Sequence, residues 1–500
     1  MNFAQTAKQN ATHKLTENGA HAYSTTKNPV LDLFAEIGSL RPRSEGDILM
    51  KFSEAFNYDR TLATKMFFYA GNIRGGLGER RTFRIILKYL ANSHPSIVRD
   101  NIALIPHFNR WDSIFTLVGT ACENDMWQVI TEQLMSDMAG VKRSNTSNKP
   151  VGISLLAKWM PTETAHNKDT IALAKRAIQK LGVTPRQYRK MLSALRKHLN
   201  IVERLMSANK WDEVEYPAVP SYAMKNYRKA FGNHDQERFS AYIESLKKGE
   251  KKINASTLYP YDLVHQYSDA LNSWYGSGNR CKVDDIVEAQ WKALPNYVEG
   301  ENNILVMADV SGSMNGRPME TSVGLATYFA QHNKGDYHNL YMTFTDRPHF
   351  ISLDGCDTLC SAVYKVGKTD VGYSTNLDKA FTHILQHAVS NSIAPEDMPK
   401  ALVVVSDMEI DPYFRGRYGF DFVQTQKMNF ARYGYELPKL IMWNVEARND
   451  TFLSQSEDVL LVSGQSASTF KQLCGDLNGV TAWDLMLKTL NDPMYDCIKV

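Results

Sequence analysis

The stretch NILVMADVSGSM, residues 303–314, decides how the second half of the chain folds. Its apolar run is too short for a helix and has no polar residue on either face, the pattern of a parallel strand buried on both sides. The run passes directly into Asp309, Ser311 and Ser313, so a carboxylate and two hydroxyls sit on the loop that follows the strand. Four more runs of the same kind follow: LYMTFTD at 340–346, ALVVVSD at 401–407, LIMWNVEA at 440–447 and VLLVSG at 459–464. Between them lie segments with helical spacing, TSVGLATYFAQHN, LDKAFTHILQHAV and DFVQTQKMNFARYG. Strand alternating with helix predicts a doubly wound α/β sheet. In such sheets ligands bind beyond the carboxyl ends of the strands.

Alone, a DxSxS string is ambiguous, because Asp and Ser also favour turns and helix caps. Two further features favour a site. The run ALVVVS ends in Asp407, and the loop GYSTNLD offers Thr375 just before a helix. Three strand-end loops therefore each present a hard oxygen, a donor set that suits Mg²⁺ first, with Mn²⁺ and Ca²⁺ as alternatives, and not zinc or copper. Two carboxylates and three neutral hydroxyls leave an octahedral cation with a position for water or an anion, which a partner's Asp or Glu or a phosphate could fill.

The set Asp309, Ser311, Ser313, Thr375 and Asp407 resembles the metal-ion-dependent adhesion site of von Willebrand factor A domains, over about residues 296 to 490. That resemblance implies that the hydroxyls bind the metal directly and the aspartates directly or through water. Ser374 adjoins Thr375, and the assignment of the hydroxyl to Thr375 comes from the family's loop.

The first half reads differently. ILMKFSEAFNYDRTLATKMFFYAGNI, TFRIILKYLANSHPSIVRDNIALIPHF and WDSIFTLVGT space apolar residues three and four apart, and the pattern continues to about Leu294. Little β-branched alternation interrupts it, so an array of antiparallel helix pairs is predicted, without an exact repeat period. Residues 1–25 are polar and poor in large apolar groups, so a flexible arm, or a segment lying across another surface, is expected there. The domains expected are thus a 1–25 arm, a 26–295 helical-repeat domain and a 296–500 α/β domain. The glycine turn near Gly78 lacks the GxxxxGK[ST] pattern and follows a helix, which argues against a phosphate loop.

The blocks GERRTF at 78–83 and FNRWDSIF at 108–115 resemble the helical-repeat TROVE domain of the Ro autoantigen family. LAKWMP at 156–161, the run from Tyr188 to Tyr216 and VPSYAMKNYRKAF at 219–231 are similar to uncharacterised Ro-like proteins of plants, fungi and large viruses. The resemblance implies HEAT-like repeats closed into a ring by the A domain, and RNA, structured or single-stranded, at basic surfaces of that ring. Charge is unevenly placed in the way such a surface needs. Residues 161–254 hold 19 Lys plus Arg against 10 Asp plus Glu, a net +9 in a chain whose total is +3. Arg186, Arg189, Lys190, Arg196 and Lys197 recur at helical spacing, and Arg228 and Lys229 follow Tyr227. Such groups would neutralise phosphates and stack on unpaired bases, although charge runs also occur as solvated helix faces.

Composition narrows the remaining classes. With 43% hydrophobic and 22% charged residues in 500, the chain is long enough for two or more cores. No HExxH or GxSxG pattern occurs, and Asp309 and Asp407 are engaged as ligands, so no enzymatic role is expected. Six widely spread cysteines suggest neither a disulfide framework nor a zinc ribbon, and Cys356 and Cys360 read as ordinary thiols. The polar first residues lack a secretory run and no long apolar stretch follows, so a cytoplasmic protein without membrane contact is expected. The function expected is that of an RNA-binding ribonucleoprotein scaffold or RNA quality-control factor carrying a metal. The alternative is a metal-dependent protein-interaction or assembly module, including a viral structural or accessory protein, that captures an acidic partner.

Overall fold

The computed structural model describes residues 12–147, 151–271, 282–300, 302–345, 347–369, 374–412, 422–456, 458–475 and 477–500. The chain separates into two compact units: one of Met1–Ala70, Gly75–Thr82 and Ala255–Asp496, the other of Gly71–Arg74, Phe83–Asn254 and Cys497–Val500.

The first unit is built on β-strands β1 (His13–Leu15), β2 (His21–Tyr23), β3 (Ile304–Asp309), β4 (Leu340–Phe344), β5 (His349–Ser352), β6 (Ala401–Ser406), β7 (Lys439–Asn444) and β8 (Leu460–Ser463). β1 and β2 form an antiparallel pair, and the other six form one sheet in the order β5-β4-β3-β6-β7-β8. The five runs read as strands all form, and their mutual pairings are parallel. The sixth strand, β5, adds an antiparallel edge that the sequence reading missed. Of its four residues HFIS only Ile351 is buried, and polar His349 and Ser352 flank the apolar pair, so no apolar run marks them.

Alternation along the strands feeds two cores. Ile304, Val306, Ala308, Val403, Val405, Ile441 and Trp443 face one, and Leu305, Met307, Leu402, Val404, Leu440 and Met442 face the other. Helix Arg317–His332 and the helical residues between Leu258 and Leu294 cover the first face, while helix Leu377–Ser390 covers the second. This is the doubly wound arrangement read from the sequence. The boundary near residue 295 is not where the compact units part. Leu263, Val264, Val287 and Trp291 bury their apolar sides in the core of the α/β unit. Helical spacing shows that a face is apolar, but not which neighbour it will meet.

Of the two expectations for the N-terminal segment, the flexible arm needs correction, and its described part lies across another surface. Residues 1–11 lie outside the described residues, but 12–25 contain the β1–β2 hairpin. Ala20 and Ala22 are buried in the second core, and Tyr23 exchanges main-chain hydrogen bonds with Phe452 at 2.8 and 3.0 Å. Small apolar groups, Ala20 and Ala22, anchor this hairpin, so no run of large ones marks it in the sequence.

Helix Pro29–Glu36, capped by the Asn28 side chain, carries Ala35 into the same core. Just beyond it, a Cβ added at Gly38 would lie 2.7 Å from both N and Cα of Gly464, which has φ +103°. Main chain cannot yield as a side-chain tip can. Gly38→Ala is therefore expected to cost roughly 1–3 kcal/mol, read as a lowered urea midpoint at unchanged m-value. An unchanged midpoint would show that the two glycines do not need this approach.

The second unit is helical, as read. Its helices include Pro95–Asn101, Glu123–Ser147, Lys168–Lys180, Pro185–His198, Ser221–His234 and Gln236–Lys247. Met126, Ile130 and Leu134 recur on one face of the long helix and are buried. Helix Pro185–His198 starts with a capping box between Thr184 and Gln187, and Tyr188, Leu192 and Leu195 form its buried side. Near the end of the chain, the Asn101 side chain pairs with both main-chain groups of Lys499, at 2.6 and 2.8 Å. Cys122, Cys356, Cys474 and Cys497 are thiols outside any disulfide, whereas Cys360 is disulfide-bonded, which corrects its reading as an ordinary thiol. Cysteine spacing in sequence does not reveal pairing across a fold.

Candidate metal centre

Parallel pairing of β3 with β6 sets Ala308 opposite Val405. The next residues of both strands therefore leave the sheet side by side at its carboxyl edge. Asp309 and Asp407 are both buried, at 0% and 1% exposure. Asp309 is held at each oxygen: Oδ1 accepts from Ser311 N at 2.9 Å and Oδ2 from Ser406 Oγ at 2.6 Å. Ser311 Oγ lies 3.1 Å from Ser313 Oγ, and the Ser313 side chain hydrogen-bonds to Asp407. Asp407 Oδ1 accepts from Glu409 N at 3.0 Å, and Oδ2 is ion-paired with the Arg448 guanidinium. Four of the five residues read as ligands thus belong to one hydrogen-bonded group.

Thr375, the fifth, is buried, and its carbonyl accepts from Asp411 N at 2.8 Å, tying its loop to the chain just beyond Asp407. Residues 372–373 of that loop lie outside the described residues. Ser374 is more exposed than Thr375.

The electrostatics are those of an incomplete charge balance. Burial, followed by the neighbouring Asp407 charge, raises the Asp309 carboxyl above its ordinary value. Burial also raises Asp407, against the Glu409 N–H and the Arg448 charge, which lower it. Two buried carboxylates beside two hydroxyls, with one guanidinium on the outer side, are the donor chemistry that a hard divalent cation completes. The residues present fit such an ion.

Sequence reading missed the supports. Ser406 precedes Asp407 and could have been noticed, since the polar end of a buried strand must bond to something. Arg448 and Glu409 carry no such signal. Buried Glu409 accepts from Glu17 N at 2.6 Å and Thr451 Oγ1 at 2.8 Å, while Thr16 Oγ1 donates to the Ile410 carbonyl at 2.7 Å. The N-terminal hairpin therefore braces the loop that presents Asp407. Met408, within that loop, has φ +66°, a strained conformation for a side-chain-bearing residue.

The cations read as RNA contacts have differing environments. Arg186, Arg189, Lys190 and Lys197 are exposed on helix Pro185–His198, with Arg189 paired to Glu163 at 2.9 Å. Arg196 instead turns inward. Its Nε and Nη2 donate to the carbonyls of Ala157 and Met160, each at 2.8 Å, and it serves the protein's own main chain. Lys229 is exposed, whereas Arg228 is half-buried and donates to the Lys225 carbonyl. The glycine turn at 78 is structural. Gly78 has φ +66° with Tyr259 Oη 1.9 Å from where a Cβ would stand, and buried Glu79 makes a two-pronged ion pair with Arg41 at 2.7 and 2.8 Å.

Comparison with known proteins gives likenesses to two families, one viral protein and one solved structure. Residues 16–110 and 125–303 match the family described as Domain of unknown function (DUF2828), and residues 303–481 match Domain of unknown function (DUF7788). "Uncharacterized protein L728" of Acanthamoeba polyphaga mimivirus is 30% identical over 495 residues, spanning 91% of this chain and 83% of its own. The crystal structure of the Ro (RSR) protein of Deinococcus radiodurans aligns over 95% of both chains at 15% identity, with a TM-score of 0.34. The fold described above stands on its own strand order and cores.

Proposed function

The chain belongs to the DUF2828 family, with a DUF7788 domain in its second half, and on that footing we propose that it is an RNA-binding protein carrying a divalent cation in its α/β unit. The observation that carries the RNA reading is helix Pro185–His198. It has five Lys and Arg residues and no acid, and four of the five are exposed. Phosphate neutralisation by such a face releases counterions, so it supplies affinity without sequence selectivity. A scaffold in a ribonucleoprotein, or a factor that inspects RNA ends, uses this kind of binding. The Ro-like blocks in the sequence favour the same reading.

Asp309, Ser311, Ser313, Thr375 and Asp407 would hold the cation, Mg²⁺ first and Mn²⁺ or Ca²⁺ otherwise. Bound there, it supplies a hard position that an anionic group of a partner can occupy. The protein's own residues position that group: Ser406 and Ser311 orient Asp309, and Arg448 with Glu409 N orients Asp407. No catalytic role is assigned to any residue, and the cytoplasm is the proposed location. No described helix is long and apolar enough to cross a membrane.

A second reading rests on the buried carboxylate pair: a metal-dependent adaptor that captures an acidic side chain of another protein, with RNA incidental. RNA affinity measured against salt separates the two. The full chain is expected to bind RNA below micromolar at low salt, with steep loss as salt rises. Arg186→Glu, Lys190→Glu and Lys197→Glu together should weaken binding by tenfold or more and flatten the salt slope by about 2 for three single-strand phosphate contacts. Arg196 is left intact because it braces the main chain. No RNA binding at low salt would favour the adaptor.

A further inference from the structure

A cleft of about 680 Å³ opens within the helical unit. That volume suits a ligand the size of one nucleotide. One wall is the LAKWMP segment, held from helix Pro185–His198. Arg196 donates to the Ala157 and Met160 carbonyls, and Tyr188 Oη donates to the Pro161 carbonyl at 2.8 Å. Two bonds from guanidinium and one from phenol fix a short turn that its own four-residue helix, Leu156–Trp159, could not hold.

The wall so fixed presents Trp159. Its ring is stacked by the Arg110 guanidinium, 4.1 Å from the centroid, and Arg110 is ion-paired with Asp112. Glu203 and Arg204 also line the cleft, Glu203 Oε1 lying 3.8 Å from Lys158 Nζ. Glu203 Oε2 and Arg204 Nε are both buried without a hydrogen-bond partner, although both residues line the cleft. An acceptor and a donor left unsatisfied on adjacent residues are costly, and they mark a place where a ligand supplies the missing bonds. Lys158, near Glu203, and Arg189, paired with Glu163, line the same cleft, where Arg196 and Arg204 leave the positive charges in excess of the two acids.

We propose that this cleft binds one unpaired nucleotide: Trp159 stacks on the base, Glu203 Oε2 and Arg204 Nε hydrogen-bond its edge, and Lys158 and Arg189 meet its phosphate. A base edge offering a donor beside an acceptor complements the carboxylate and guanidinium. In a duplex that edge is already paired, so the cleft reads single-stranded nucleotides and excludes double-stranded ones. The inference rests on the RNA reading for its source, since a free nucleoside monophosphate carries the same chemistry.

The test titrates the full chain with the four nucleoside 5′-monophosphates, a short single-stranded RNA and the matching duplex, for wild type, Trp159→Leu, Glu203→Gln and Arg204→Met. Wild type should bind the single strand at least tenfold more tightly than the duplex. Each folded variant should lose about tenfold or more in single-strand affinity, as removing a stacking partner or an edge contact does. If Trp159→Leu fails to fold, the two polar variants decide. Unchanged binding in folded Glu203→Gln and Arg204→Met would overturn the cleft while leaving RNA binding on the exposed helix face intact. Monophosphate binding that these variants abolish, without RNA binding by wild type, would uphold the cleft with a free nucleotide as its ligand and remove the RNA reading. Neither probe binding to wild type would overturn both.

Discussion

Asparagine at position 309 is expected to lower Mn²⁺ or Mg²⁺ affinity by about a hundredfold or more, beyond what the loss of a supporting group costs. Asp309 is fully buried at the carboxyl edge of β3, and both its oxygens are already oriented, by Ser311 N and Ser406 Oγ. It is therefore presented to an ion at little further cost in conformational freedom. Wild type should gain about 2.7 kcal/mol at a metal concentration a hundred times its Kd, seen as a rise in Tm, and Asp309→Asn should gain almost nothing. Without metal the variant should be at least as stable as wild type, because one of two adjacent buried carboxylates has gone. Ser406→Ala should fall between them, weakening the metal by about tenfold through loss of orientation alone. Equal metal binding by wild type and Asp309→Asn, or none by wild type, would remove the metal from this site.

The second large effect is expected away from the site. Lys51 Nζ lies 2.6 Å from Glu36 Oε2 and 2.9 Å from Asp450 Oδ1, and Arg43 also pairs with Asp450. Glu36 is 1% exposed. Burial pushes its carboxyl up from 4.5 to about 7, although the Lys51 charge pulls it down. Lys51→Met should cost up to about 3–5 kcal/mol at pH 8, where Glu36 must either stay charged without its partner or take up a proton, and distinctly less at pH 5, where it is already protonated. The wild-type protein should carry the same signature. Below pH 4.5 the group is protonated in folded and unfolded chains alike. Between 4.5 and about 7 only the folded chain keeps the proton, so stability from this group falls as pH rises, by about 3 kcal/mol at most. Glu36→Gln should flatten that part of the pH–stability curve in urea titrations. A slope that persists in Glu36→Gln would place its origin in another group.

Much of the α/β half was legible because buried parallel strands must be apolar on both faces. ILVMA, ALVVV and LIMW therefore stand out against any turn, and Asp309 and Asp407 follow as the first polar residues beyond them. β5 escaped because it is four residues long and two of them, His349 and Ser352, are polar. The hairpin at 13–23 escaped because alanines fill it. Ser406 was within reach of the same reasoning. Arg448 was not, since nothing near it in sequence announces that it pairs with Asp407, 41 residues earlier. Among the basic residues, spacing alone made Arg196 the equal of Lys190. Only the fold separates one that binds its own main chain from one exposed to solvent.

The sequence by itself determined the two kinds of architecture, five of the six strands of the sheet, and the oxygen-bearing residues at the carboxyl ends of β3 and β6. These depend on periodicity and on the order of residues along one element, which are local. Tertiary structure alone decided that residues 12–70, 255–271 and 282–298 pack with the sheet, that the N-terminal hairpin braces the Asp407 loop, and that Glu203 and Arg204 line the same cleft as Trp159. Those depend on which apolar faces meet and which polar atoms are left without partners once they have met, and no local pattern records either.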